Sequence, residues 1–221
     1  MEKTTQMKKI HDLGLSNEDL WVFDNDGTLY NDKVLQKDIE KLMDQFFSRM
    51  TNSSENDGKR QRKKLRKKHS DTSTIISLYR EGFEIPYLRK FVTETYLASN
   101  KTKLKDDRYS TLTDKLSQIP GTKIILTNAP SAFAHQVLKY LEIDEWFYAV
   151  YGIEEIGFTQ KPEIASFSPI IPFLEKGRRV FFVDDKINNV LVAISIGCVG
   201  MWWNGEKLNL VKSKEEYYEI D

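Results

Sequence analysis

Four short apolar runs stand out along an otherwise mostly polar chain: Leu20 to Asp24, Lys123 to Thr127, Val180 to Val183, and Cys198 to Trp203. Unbroken runs of branched and aromatic residues this short are the mark of strands buried on both faces of a sheet. Ala149 to Gly152 is a weaker fifth candidate. Between the later runs, apolar positions recur at helical spacing over Ala132 to Leu141, roughly Glu163 to Glu175, and Ile187 to Ile196. Strand and helix alternate, which predicts an α/β fold with a Rossmann-like parallel sheet covered by helices.

The interval after Tyr30 breaks that alternation. Leu35, Ile39, Leu42, Met43, Phe46, Phe47 and Met50 repeat at helical spacing, and so do Ile75, Ile76 and Leu78, then Tyr87, Leu88, Phe91 and Val92. The expected division is a core of residues 1–30 and 119–221 with a helical insert over 31–118. Between the first helices of the insert lies "TNSSENDGKRQRKKLRKKH", read as a polar loop that runs into eight lysines and arginines within 59–68. That run is a solvated loop or frayed helix face on one reading. On the other it meets phosphate groups of a substrate, a nucleic acid or a phospholipid surface. No aromatic residue interrupts it, so base stacking is not supported.

Composition narrows the partners. The 221 residues suffice for one core and a modest insert. With 33 basic residues against 33 acidic, no global field draws the chain to nucleic acid or to anionic membrane. The single cysteine, Cys198, excludes an internal disulfide framework and reads as a core residue. The charged amino terminus resembles neither a signal peptide nor a spanning segment, so the expected setting is cytoplasmic, with export by a signal-independent route left open.

Candidate chemistry gathers at the ends of the predicted strands. In "WVFDNDGTLY" the side chains of Asp24 and Asp26 share a face while the extended geometry lasts, and Gly27 then frees the backbone to turn. The carboxyl ends of parallel strands are where open α/β sheets bind ligands. A calcium loop fails on spacing, since with Gly27 as its invariant glycine the bidentate glutamate position falls on Lys33. "KIILTNAP" ends a strand in Thr127 and Asn128, and Pro130 and Ser131 then open a helix, as an anion site or as simple capping. "RVFFVDDKINN" ends another strand in Asp184 and Asp185, and "TQKPEI" supplies Lys161. The histidines His11, His69 and His135 have no metal-ligand spacing. Trp202 and Trp203 are expected to cover the sheet edge or pack beneath the insert.

In this order the motifs resemble the haloacid dehalogenase superfamily: D-x-D-G-T, a strand ending in Thr or Ser, a lysine, then an acidic pair. "FDNDGTLY", "LTNAP", "KP" and "FVDDKINN" look most like its pyrimidine 5′-nucleotidase branch, which carries Asn where Gly27 stands and a histidine where Phe133 stands. The resemblance implies a helical C1-type cap and phosphoryl transfer from a small phosphorylated substrate such as a nucleoside 5′-monophosphate; another small phosphate ester or a phosphoprotein stays open as substrate, and the second reading is a non-catalytic binding protein that uses the basic insert over 59–68. It implies Asp24 as nucleophile, Asp26 as general acid and base, and Thr127, Asn128 and Lys161 as phosphate-binding groups. It also implies Mg²⁺ held by Asp24, a backbone carbonyl at Asp26, Asp185, and Asp184 either directly or through water. A cation is physically required, because a carboxylate and a phosphate dianion about 4 Å apart repel by roughly 4 kcal/mol per charge pair at an effective dielectric near 20.

Overall fold

The computed structural model describes residues 13–70, 73–101, 104, 111–212 and 217–220. His11 lies outside the described residues. The chain builds β1 (Leu20–Phe23), then α1 (Lys33–Thr51), α2 (Glu55–His69), α3 (Thr74–Arg80), α4 (Ile85–Val92), a π-helical turn (Thr93–Leu97) and α5 (Leu112–Ser117). It continues with β2 (Thr122–Leu126), α6 (Ser131–Tyr140), β3 (Ala149–Tyr151), α7 (Ile171–Glu175), β4 (Val180–Asp184), α8 (Ile187–Ser195), β5 (Val199–Trp203), β6 (Leu208–Val211) and β7 (Tyr217–Ile220). The sheet order is β3-β2-β1-β4-β5-β6-β7. The first five of these strands in space are parallel, and β6 and β7 extend the sheet as antiparallel strands.

The sheet centre is where the sequence is most apolar. All four residues of β1 are buried, and the Trp21 ring stacks on Phe181 with centroids 4.3 Å apart. Register then decides what the strand ends share. Phe23 pairs with Ile125 on one side and Val183 on the other, so the chain leaves β1, β2 and β4 at one level. The Asp24 amide continues the ladder by donating to the Val183 carbonyl at 2.8 Å. Asp24, Thr127 and Asp184 therefore emerge along a single edge.

The sequence expectations hold for the five parallel strands and fail in three places. Trp203 does not end the sheet, because β6 pairs with β5 through the turn at Asn204 and Gly205, where Gly205 has φ +97°. The helix expected over 163–175 is a 3₁₀ turn (Ile164–Phe167) followed by the short α7, since Pro169 and Pro172 withhold amide donors from any continuous ladder. The supposed polar loop after α1 is mostly the 15-residue helix α2. Its Ser54 side chain caps the Asp57 amide, Ser70 ends it in the left-handed region, and Arg62 forms a buried ion pair with Asp44 of α1 at 2.6 Å.

Helices α1 to α5 all lie between β1 and β2 in sequence; α1 to α4 and the π-helical turn pack on one another around Phe46, Phe91 and Ile76, while α5 lies beside the loop that follows β1. They meet the sheet domain at defined contacts. Tyr79 stacks on Phe158 at 4.4 Å, Arg80 pairs with Glu163 at 2.9 Å, and Tyr96 packs against Phe133 at 5.3 Å. Among the described residues, no helix is long and apolar enough to cross a membrane.

Candidate active site

Asp24, Asp184 and Asp185 each bring one carboxylate oxygen to within 4.8 Å of the others. Lys161 lies among them, reaching the strand ends from the loop before α7. Its ammonium donates to Asp24 Oδ1 at 2.7 Å, to the Leu126 carbonyl at 2.7 Å and to Asp184 Oδ2 at 2.8 Å. Lys161, Asp24 and Asp184 are all buried.

Burial alone would lower the Lys161 pKa, but Asp184 and Asp24 outweigh it and hold the ammonium above its ordinary range. For Asp24 the balance goes the other way. Burial dominates, the charges of Asp184 and Asp26 add to it, and Lys161 only partly offsets them, so its carboxyl is pushed up to about 7. Burial also raises Asp185 and Asp26. Several buried carboxylates against one buried ammonium leave an excess of negative charge that favours a further cation.

The donor set fits a hard divalent ion. Asp24 Oδ2 and Asp185 Oδ1 are buried and have no hydrogen-bond partner. Unpaired buried carboxylate oxygens are costly, and oxygen-only donors suit Mg²⁺. Gly27 makes room for this arrangement: at φ +93° it takes a turn disfavoured for other residues, and a Cβ there would stand 2.5 Å from Asp185 Oδ2. The Asp184 carboxylate is differently occupied. Besides Lys161 it accepts from the Lys186 amide at 2.8 Å and from Asn189 Nδ2 at 2.9 Å on both oxygens.

Asp26 does not join this cluster through its carboxylate. Its Oδ1 accepts from the Tyr30 hydroxyl, and its Oδ2 lies 3.5 Å from the Thr127 hydroxyl. The Gly27 amide donates to the Tyr30 carbonyl at 2.7 Å, closing the small loop that carries both side chains. Thr127 Oγ1 also accepts from the Ala129 amide at 3.1 Å. Asn128, read from sequence as a phosphate ligand, uses its amide on the backbone of Lys161 instead: it donates to the Lys161 carbonyl at 3.1 Å and accepts from the Lys161 amide at 2.8 Å. At the start of α6, the Ser131 amide donates to Glu154 Oε2 at 3.0 Å.

Three contributors were not legible as functional in the sequence. Asn189 fixes Asp184, Tyr30 holds Asp26, and the Trp202 indole donates to the Asp185 carbonyl at 2.9 Å. Asn189 follows the acidic pair by one helical turn, a spacing that offers a signal only once Asp184 is known to need a partner. The two described histidines are engaged elsewhere: His69 contacts Glu81 at 2.6 Å, and His135 is exposed. Burial pushes the Cys198 thiol up to about 12, as befits a core residue.

Comparison with known proteins gives the family and the fold. The family model of haloacid dehalogenase-like hydrolases matches residues 19–197. Among solved structures, the HAD-hydrolase YfnB from Bacillus subtilis, bound to magnesium, is similar at a TM-score of 0.52 and 18% identity, covering 84% of this chain and 88% of its own. A HAD phosphatase from Thermococcus onnurineus matches at a TM-score of 0.52 and 18% identity, over 83% of this chain and 85% of its own. No curated protein matches the chain.

Proposed function

The chain belongs to the haloacid dehalogenase-like hydrolase family, and within it we propose a magnesium-dependent phosphomonoester hydrolase working through an aspartyl-phosphate on Asp24. The observation that carries this reading is the pair of buried, partnerless oxygens on Asp24 and Asp185 beside the Lys161 ammonium. Asp24, Asp185 and a carbonyl at Asp26 would hold Mg²⁺, with Asp184 behind them. The bound ion would offset the repulsion between these carboxylates and an incoming phosphate dianion.

Asp24 supplies the attacking oxygen, forming an O–P bond as the ester O–P bond breaks. Asp26 gives its proton to the departing alkoxide. Burial favours the protonated carboxyl, and Tyr30 and Thr127 hold it in place. Once ionised, Asp26 takes a proton from the water that attacks phosphorus and returns Asp24 to its free carboxylate. The Thr127 hydroxyl, whose one proton is directed at Asp26 Oδ2 in the free protein, turns to donate to the transferring group once substrate is bound. Lys161 neutralises Asp24 and Asp184, and it reaches a phosphoryl oxygen only by releasing one of its three present acceptors. Asn128 keeps the Lys161 backbone in place.

Helices α1 to α5 serve as the cap, excluding water and contacting the leaving group. Tyr96 supports this role, since it packs on Phe133 while the charge of Asp26 helps burial raise its hydroxyl pKa. The motif resemblance makes nucleoside 5′-monophosphates the first substrates to assay, and a cytoplasmic setting belongs to the same reading. The test is phosphate release from a generic aryl phosphate. EDTA should abolish it and added Mg²⁺ restore it; equal rates with and without EDTA would sink the metal-dependent scheme.

A further inference from the structure

The basic run takes no part in the chemistry above, yet it forms an ordered helix whose residues divide by face. Gly58 and Arg62 of α2 are buried against α1, with Leu65 half-buried. Lys59, Arg60, Lys63, Lys64, Lys67 and Lys68 are exposed. At about 100° per residue these six fan across roughly half of the helix circumference, opposite the packed side. Arg60 pairs with Asp57 at 2.7 Å and Lys68 with Glu81 at 2.6 Å. Such exposed pairs are worth only about 0–1 kcal/mol and yield readily to a polyanion.

The charge is concentrated here. Helix α2 holds eight basic residues against two acidic in a chain whose formal net charge is zero, so the remainder carries an equal acidic surplus. The densest positive charge a polyanion can meet on a single helix is therefore this ridge.

Shape then selects among polyanions. A flat bilayer meets a convex ridge along one line, reaches only its central lysines, and finds no exposed apolar side chain on α2 to insert. A groove bordered by two phosphate rows reaches the whole fan. The major groove of duplex DNA, about 12 Å wide, admits a helix about 10–12 Å across, whereas that of A-form RNA is too narrow. With no Phe, Tyr or Trp on α2, and His69 engaged with Glu81, a single strand lacks the row of aromatic faces on which successive bases stack. We propose that the exposed face of α2 docks duplex DNA through its phosphate backbone, without sequence preference.

The test is fluorescence anisotropy of a labelled mixed-sequence duplex titrated with the full chain at several salt concentrations. With about four phosphates neutralised, affinity should fall roughly 150-fold between 50 and 200 mM salt. Reversing Lys63, Lys64 and Lys67 to Glu should weaken binding by about tenfold or more. Reversing the exposed Lys115, Lys139 and Lys176, an identical change in net charge, should matter far less. A variant with Lys63, Lys64 and Lys67 changed to Gln, checked by circular dichroism, should lower the salt slope by about three. Absence of binding at 50 mM salt, equal losses in the two reversal variants, an unchanged slope in the Gln variant, or binding to phosphatidylserine vesicles in place of duplex would each overturn the proposal. None of these readouts requires turnover, so the docking claim fails or stands separately from the hydrolase reading.

Discussion

Asp184 contacts no fewer than three separate donors, from Lys161, Lys186 and Asn189, whereas its neighbour Asp185 keeps a buried oxygen unpaired. The two aspartates are adjacent in sequence and opposite in work: one anchors the buried lysine, and the other, on the proposed scheme, holds the ion. Asn189→Ala should free Asp184 to shift with Lys161, lowering kcat about 10–100-fold while leaving KM nearly unchanged; a rise in KM alone would assign Asn189 to substrate binding. Asp26→Asn should keep Mg²⁺ affinity, because the Asp26 carboxylate lies outside the cluster, and should lose about 10²–10⁴ in rate. Calorimetric Mg²⁺ titration beside steady-state kinetics separates the two effects, and joint loss would mark Asp26 as structural. Asp24, Lys161, Asp184 and Asp185 were legible because each ends a readable strand or stands in a recognisable order. Tyr30, Asn189 and Trp202 were not, since an ordinary aromatic or amide becomes informative only when its partner in space is known.

At the scale of elements, pattern reading worked where one physical signal dominated. The central strands are buried on both faces, so their apolar runs are unbroken. Helix α2 was not separable in the sequence from a solvated loop, because its packing does not depend on an apolar stripe. It is held by the buried Arg62–Asp44 pair and by Gly58, where a Cβ would stand 2.3 Å from the Asp44 carbonyl oxygen. Gly58→Ala should therefore force α1 and α2 apart and destabilise the protein by about 1–3 kcal/mol, even though alanine is the better helix former. Urea denaturation measures this; a stabilised variant would show that the two helices separate without cost. Strands β6 and β7 were missed for another reason, since four-residue alternations such as "LNLV" after a turn carry too little periodicity to distinguish from loop.

Across the whole molecule, a sheet with an acidic site at its carboxyl edge is joined to a helical insert whose charge is concentrated on one outward ridge. Inserting those helices immediately after β1 places their contacts, through Tyr79, Arg80 and Tyr96, beside the loops that follow β2 and β3. The reaction scheme draws on all of this but rests on one atom becoming a phosphate acceptor. Borohydride trapping tests it most directly: enzyme quenched during turnover is reduced, and the peptide containing residue 24 is examined by mass spectrometry. Asp24 should be converted to homoserine only when substrate and Mg²⁺ are both present, and no conversion should occur in Asp24→Asn. Phosphate release with residue 24 unmodified, or modification at another carboxylate, would contradict it.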